Sequence, residues 1–306
     1  MTTPAPRPGA LPPSRPTTPP LLLDHLADPA LVTTPTDAPA EDRQKPVTWA
    51  LGLGDDGRPV TDTFDSRTRG LLVGGTGPRG TLLTSLVLQL AHAHPVGDVE
   101  IWLAEKTEGR YAELLHLPHI TAHYDAHTQH HPVTDAEEAL RQRQLRPFRA
   151  DGSPLPPLLV LFDELLDWLR MPSRVDLQLE WRQRLAAFQR VATRGSGYGI
   201  HLVTASAHWP FMSRDHAKLH VAVGQYRRVA FPAVNRTTSQ FLLGRPGAET
   251  LDRPWRALYT PSPGRTAPLP TATFELRRPT GSAPNLPHDV TAGVDLLLGR
   301  LRSASG

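Results

Sequence analysis

The sequence predicts an α/β domain built on a mostly parallel sheet. Three observations carry this reading. Short, continuous apolar runs such as Leu158 to Phe162 read as strands buried on both faces. Segments of helical period alternate with those runs, the pattern of strand–helix–strand units. One run feeds directly into a glycine-rich loop and then a helix, which is the context a phosphate-binding P-loop needs.

From the N-terminus, residues 1–45 read as a disordered Pro/Thr-rich arm. Twelve of the 33 prolines fall in the first fifty residues. Such a segment cannot bury enough apolar surface to offset its ordering entropy. A short apolar stretch inside it, from about Leu21 to Leu31, reads as a sticky patch of the arm rather than a docked helix. The pattern changes at Pro46. "VTWALGLGDDGRPVTDTF" predicts a β-hairpin turning at Asp55-Asp56-Gly57. "RGLLVGGTGPRGTLLTSLVLQLAHAH" predicts strand, loop and helix, with Leu82, Leu83, Leu86, Val87, Leu90 and Ala91 at helical spacing. "VEIWLAEK", "LLVLF", "GIHLVTAS" and "RRVAF" follow as strands, with helices predicted over Arg182 to Thr193 and over "RTTSQFLL". This P-loop domain is read as residues 46–262. Residues 263–306 read as a Pro-rich linker and an amphipathic helix that aligns Val290, Val294, Leu297, Leu298 and Leu301.

Composition narrows the function. The 306 residues suffice for a real core. The absence of cysteine excludes disulfides, thiolate metal sites and a thiol nucleophile. A net charge of +3 does not by itself argue for nucleic acid. No stretch is apolar for long enough to span a membrane, and the N-terminus lacks the apolar core of a secretory signal, so the expected location is cytoplasmic.

The chemistry concentrates in two motifs. The loop "GGTGPRGT" runs from Gly74 to Thr81 and compares with the P-loop pattern G-x-x-x-x-G-K-[ST]. Gly74 and Thr81 fill its ends, and Gly75, Thr76 and Gly77 its body. Arg79 stands where glycine is expected and Gly80 where lysine is expected. Pro78 removes one N–H from the anion nest. The lost lysine takes with it the fixed cation on the transferring phosphate. The second motif is "LLVLFDEL", which ends a buried strand in Asp163 and Glu164. An aspartate there can hold Mg²⁺ through water, and the adjacent glutamate can polarise an attacking water. If the pocket is functional, Thr81 and Asp163 are the candidate Mg²⁺ ligands and the nucleotide is ATP; the plainer readings are a Gly-rich strand-to-helix turn and acids at a helix N-terminus.

Together these stretches resemble the FtsK/SpoIIIE family of P-loop DNA translocases, with EccC-type secretion ATPases as a related branch. "LLVGGTGPRGT" is similar to the family's "LVAGTTGSGKS". "AEKTEGRYAELLHLPHI" is similar to its "DPK…ELxxLxxLPHL", with Lys106 kept and Ala104 where the family has Asp. "LLVLFDEL" resembles "LVVLIDEF", and "TRGSGYGIHLVTAS" resembles "GRAAGIHLVLATQ", with Ala207 in place of the final Gln. The resemblance runs in order over residues 46–260. It implies a RecA-like fold, ATP and Mg²⁺ as cofactors, assembly in a ring, and double-stranded DNA or protein as the moved substrate. It also makes Arg194 a candidate to act on a neighbour's nucleotide, beside the reading of an ordinary helix C-terminal arginine.

Three losses around one nucleotide favour a degenerate member, a weak nucleotide binder acting beside an active motor subunit or within a homo-oligomeric ring. One alternative is an active translocase that uses Arg79 in place of the lysine. Another is a protein-interaction module related to the secretion ATPases. DNA contacts would come from Arg141, Arg143, Arg146 and Arg149 or from Arg227 and Arg228, with a solvated face as the plainer reading of the first four. His119, His123, His127 and His131, within the His116–His131 cluster, are spaced by four. A strand or loop there would not converge their rings on a metal.

Overall fold

The computed structural model describes residues 46–128, 131–207, 219, 221–261 and 272–276. The arm over residues 1–45 and the C-terminal amphipathic helix lie outside them. The strands are β1 (Val47–Gly54), β2 (Pro59–Phe64), β3 (Gly70–Gly74), β4 (Glu100–Ala104), β5 (Ile120–Tyr124), β6 (Leu158–Phe162), β7 (Ile200–Ser206), β8 (Arg227–Ala230), β9 (Arg256–Thr260) and β10 (Ala272–Glu275). The helices are α1 (Arg79–Ala93), α2 (Pro132–Leu145), α3 (Leu165–Trp168), α4 (Gln178–Arg194) and α5 (Arg236–Leu243).

The strands form one sheet in the order β2-β1-β10-β9-β8-β3-β7-β6-β4-β5. The block from β8 to β5 is parallel. The block from β2 to β9 is antiparallel and joins β8 through β9. Successive residues of the central strands point to opposite faces, as a pleat requires. Leu71, Val73, Leu159, Leu161, Val203 and Ala205 face α1 and its core. Leu72, Val160, Phe162, Ile200 and Leu202 face a second core with α2, α4 and α5. Burial on both faces explains why these strands read as unbroken apolar runs.

Two details depart from the sequence reading. The sheet continues past residue 262, because β10 inserts between β1 and β9. Its four residues, "ATFE", are too short to show a period. The lead-in hairpin is also tied to the P-loop helix by a buried amide. The Gln89 side chain accepts from the Ala50 N–H at 2.8 Å and donates to the Ala50 carbonyl at 2.9 Å. This completes both backbone groups of a β1 residue next to the strand's irregularity at Ala50/Gly52.

Candidate nucleotide site

Parallel pairing brings four strand ends together. Gly74 of β3 is in register with Ser206 of β7, Thr204 with Phe162 of β6, and Phe162 with Ala104 of β4. The P-loop, Ser206 and Ala207, Asp163 and Glu164, and Glu105 therefore all emerge at the carboxyl edge of the sheet. Ligands of open α/β sheets bind at that edge.

The loop packs tightly against the chain after β8. Gly75 has φ +95°, and a Cβ there would lie 2.5 Å from the Phe231 carbonyl oxygen. The Thr76 N–H donates to the Pro232 carbonyl at 2.9 Å, and the Thr76 hydroxyl donates to the same oxygen at 3.0 Å. The Arg79 N–H donates to the Gly77 carbonyl at 2.8 Å. Two N–H groups of the loop are thus used within the chain, and Pro78 has none to offer. Gly80 and Thr81 sit in the first turn of α1, with Thr81 buried.

Both acidic residues are held by arginines of the same chain. The Arg79 side chain turns inward. Its Nη2 lies 2.5 Å from Glu164 Oε1, and its Nη1 donates to the Gly75 carbonyl. The Ser206 hydroxyl and the Ala207 N–H donate to the other Glu164 oxygen at 3.2 Å each. Glu164 has φ 58° and ψ 57°, the one non-glycine residue with positive φ among the described residues. This left-handed geometry is uncommon for a residue with a side chain, and such strain collects at functional sites.

Asp163 is 1% exposed. Its Oδ2 accepts from Arg110 Nη1 at 2.6 Å and from the Tyr111 hydroxyl at 3.0 Å. Burial and the neighbouring Asp163 carboxylate raise the Tyr111 hydroxyl pKa well above its ordinary value, so it stays a donor. Asp163 Oδ1 is buried with no hydrogen-bond partner among the described residues.

Arg110 and Tyr111 come from the loop after β4. Buried Glu105 lies beside the backbone N–H groups of both, which lower its pKa, while its Oε2 has no hydrogen-bond partner among the described residues. His123 Nε2 on β5 donates to Glu105 Oε1 at 2.9 Å. Burial raises the Glu105 pKa, and the His123 bond partly opposes the shift. Sequence reasoning missed Glu105, Arg110 and Tyr111. The signal was present in "AEKTEGRY", a carboxylate next to the position where the family has Asp.

The orphaned Asp163 oxygen and buried Thr81 suit a magnesium ion. The loop offers a phosphate fewer N–H groups than its length suggests. When bound, Mg²⁺ would neutralise phosphate charge. Asp163 and Thr81 would hold it, while Glu164 is committed to Arg79, Ser206 and Ala207.

The remaining candidates lie elsewhere. Arg194 is exposed at the C-terminal end of α4, by the amino end of β7 and away from its own P-loop. Arg227 and Arg228 are poorly placed for DNA. Arg227 bonds to Asp62 and the Thr63 carbonyl, and Arg228 to the Phe241 and Gly224 carbonyls. Arg143 is buried against the Pro156 and Tyr198 carbonyls, so the four-arginine run is not one solvated face. The histidines have separate partners: His119 the His94 carbonyl, His123 Glu105, and His131 the Trp168 carbonyl. Among the described residues no three His, Asp or Glu side chains converge on a metal site. No helix among them is long and apolar enough to cross a membrane.

No protein-family model matches the chain. Over 240 residues it is 24% identical to the DNA translocase SftA of Bacillus subtilis (strain 168), covering 68% of the chain and 23% of that protein. The chain therefore spans about a quarter of that relative's length. Its fold matches the cytoplasmic domain of the type VII secretion ATPase EccC from Thermomonospora curvata, with TM-score 0.64 and 21% identity, covering 92% of this chain and 35% of that one. It also matches the monomer form of the pCW3 conjugation coupling protein TcpA with ATPγS, with TM-score 0.61 and 13% identity, covering 94% and 75% respectively. The chain is thus similar in sequence to a DNA translocase, and it shares its fold with a secretion ATPase and a conjugation coupling protein.

Proposed function

We propose that this chain is a P-loop subunit of a DNA-transfer or segregation system that binds MgATP weakly, does not turn it over at a motor's rate, and works beside an active motor. The observation that carries the reading is the pairing of both carboxylates with the chain's own arginines, Glu164 with Arg79 and Asp163 with Arg110. The two guanidinium groups offset the charge of these two carboxylates. A nucleotide that recruits either carboxylate competes with one of these buried or half-buried ion pairs. Breaking such a pair leaves an uncompensated charge and costs several kcal/mol, an effect of about 3–5 kcal/mol at fully buried sites. Glu164, the group that would polarise water, is the more heavily occupied of the two.

DNA as the handled substrate comes from the likeness to a DNA translocase; that likeness covers only part of the relative. Arg194 is the group we assign to a neighbouring subunit's nucleotide. It is exposed and has no ion pair among the described residues.

Calorimetric titration with MgATP tests the site. The expected Kd is weak, about 0.1–1 mM, or about 4–5.5 kcal/mol of binding. It should weaken further in Asp163→Ala. Tight micromolar binding that is indifferent to Asp163 would contradict the proposal.

A further inference from the structure

We infer that Arg110 has taken over the place and charge of the missing P-loop lysine. The inference rests on reading this edge as a nucleotide-phosphate site. Gly80 stands at the lysine position, yet the backbone does not require glycine there. It lies in α1 and is not among the glycines with positive φ. A Cβ at Gly80 would meet the Tyr111 hydroxyl at 3.4 Å, the Arg110 Cδ at 3.6 Å and Arg110 Nη1 at 3.9 Å, all ordinary contacts. What the absent side chain leaves free is the path along which Arg110 crosses α1 to reach Asp163.

Arg110 is built to be there. The Glu105 carboxylate lies beside the N–H groups of Arg110 and Tyr111, and His123 ties Glu105 to β5. The Tyr111 hydroxyl and Arg110 Nη1 then share one oxygen of Asp163. The other oxygen, Oδ1, stays buried and unpartnered among the described residues, as a carboxylate kept for a cation would be. Arg79 does not fill this role, because its guanidinium is spent on Glu164 and Gly75. The arginine next to the lysine position in sequence is thus not the one next to it in space. With MgATP present, Mg²⁺ would cover Asp163 and free the Arg110 guanidinium to meet phosphate oxygens, a geometry arginine favours.

The test compares Arg110→Ala, Gly80→Lys and the double variant with the wild-type chain. Thermal unfolding is read without nucleotide, and MgATP affinity is read by calorimetry. Arg110→Ala should lower Tm by at least about 4 °C, because buried Asp163 loses its counter-charge. Gly80→Lys in that background should recover at least half of the loss, since Lys at 80 enters the vacated space. Gly80→Lys alone should lower Tm, because two cations then compete for one site. Arg110→Ala should weaken MgATP at least tenfold, and the double variant should regain it. If Arg110→Ala fails to fold, Arg110→Gln with and without Gly80→Lys gives the same comparison. A double variant no more stable than its single parent would overturn the inference. So would MgATP affinity unchanged by Arg110→Ala, or no MgATP binding to the wild-type chain. Motor-rate turnover would instead overturn the proposed function, and the stability comparison would still stand.

Discussion

Among the described residues, Asp163 has two donors on one oxygen and none on the other, and that asymmetry makes its partners measurable. Tyr111→Phe removes one donor without opening a cavity. Urea unfolding should show a loss of about 1–2 kcal/mol, the cost of leaving a buried acceptor short of a bond. The Arg79–Glu164 pair is suited to a double-mutant cycle. Arg79→Ala and Glu164→Gln should be non-additive by about 1–3 kcal/mol, whereas independent residues add. Asp163 and Glu164 were legible in the sequence because an apolar run ended in them. Their arginines were not, because Arg79 and Arg110 reach them across 85 and 53 residues.

At the scale of elements, the central strands and helices were readable because burial on two faces and helical spacing are local patterns. The hairpin fell at its "DDG" turn for the same reason. What escaped was short or relational: β10, the order of the strands, and the loop that carries Arg110. Strand β7 also holds a charge-sensitive position. His201 is fully buried, Nδ1 donates to the Thr68 carbonyl at 2.9 Å, and the ring packs on Phe64. Burial pushes its pKa down to about 4 from 6.5. The folded state therefore prefers the neutral ring. Its contribution to stability is complete above pH 6.5 and is lost as pH falls from there to about 4, since the unfolded chain takes the proton first. The loss is about 3 kcal/mol over that window. His201→Gln should unfold more easily at pH 7 yet show a flatter stability profile between pH 6.5 and 4. At α5, the Asn235 side chain accepts from the Thr238 N–H at 2.9 Å and caps the helix. Asn235→Ala should cost about 1 kcal/mol in the same assay.

For the whole molecule, the sheet's topology and the side chains at its carboxyl edge carry separate information. The parallel block still delivers every strand end to one edge, but the side chains there bind one another. If the chain works beside an active motor, its value to that motor lies in exposed groups such as Arg194. Arg194→Ala should leave the fold and MgATP affinity unchanged while abolishing any stimulation of an FtsK-like motor mixed with the chain, read as DNA-dependent phosphate release. The central claim is tested most directly by MgATP turnover of the purified chain, with and without double-stranded DNA, beside Glu164→Gln. Wild type and Glu164→Gln should be equally silent with and without DNA. Turnover of about 1 per second or faster in the wild-type chain, lost in Glu164→Gln, would contradict it.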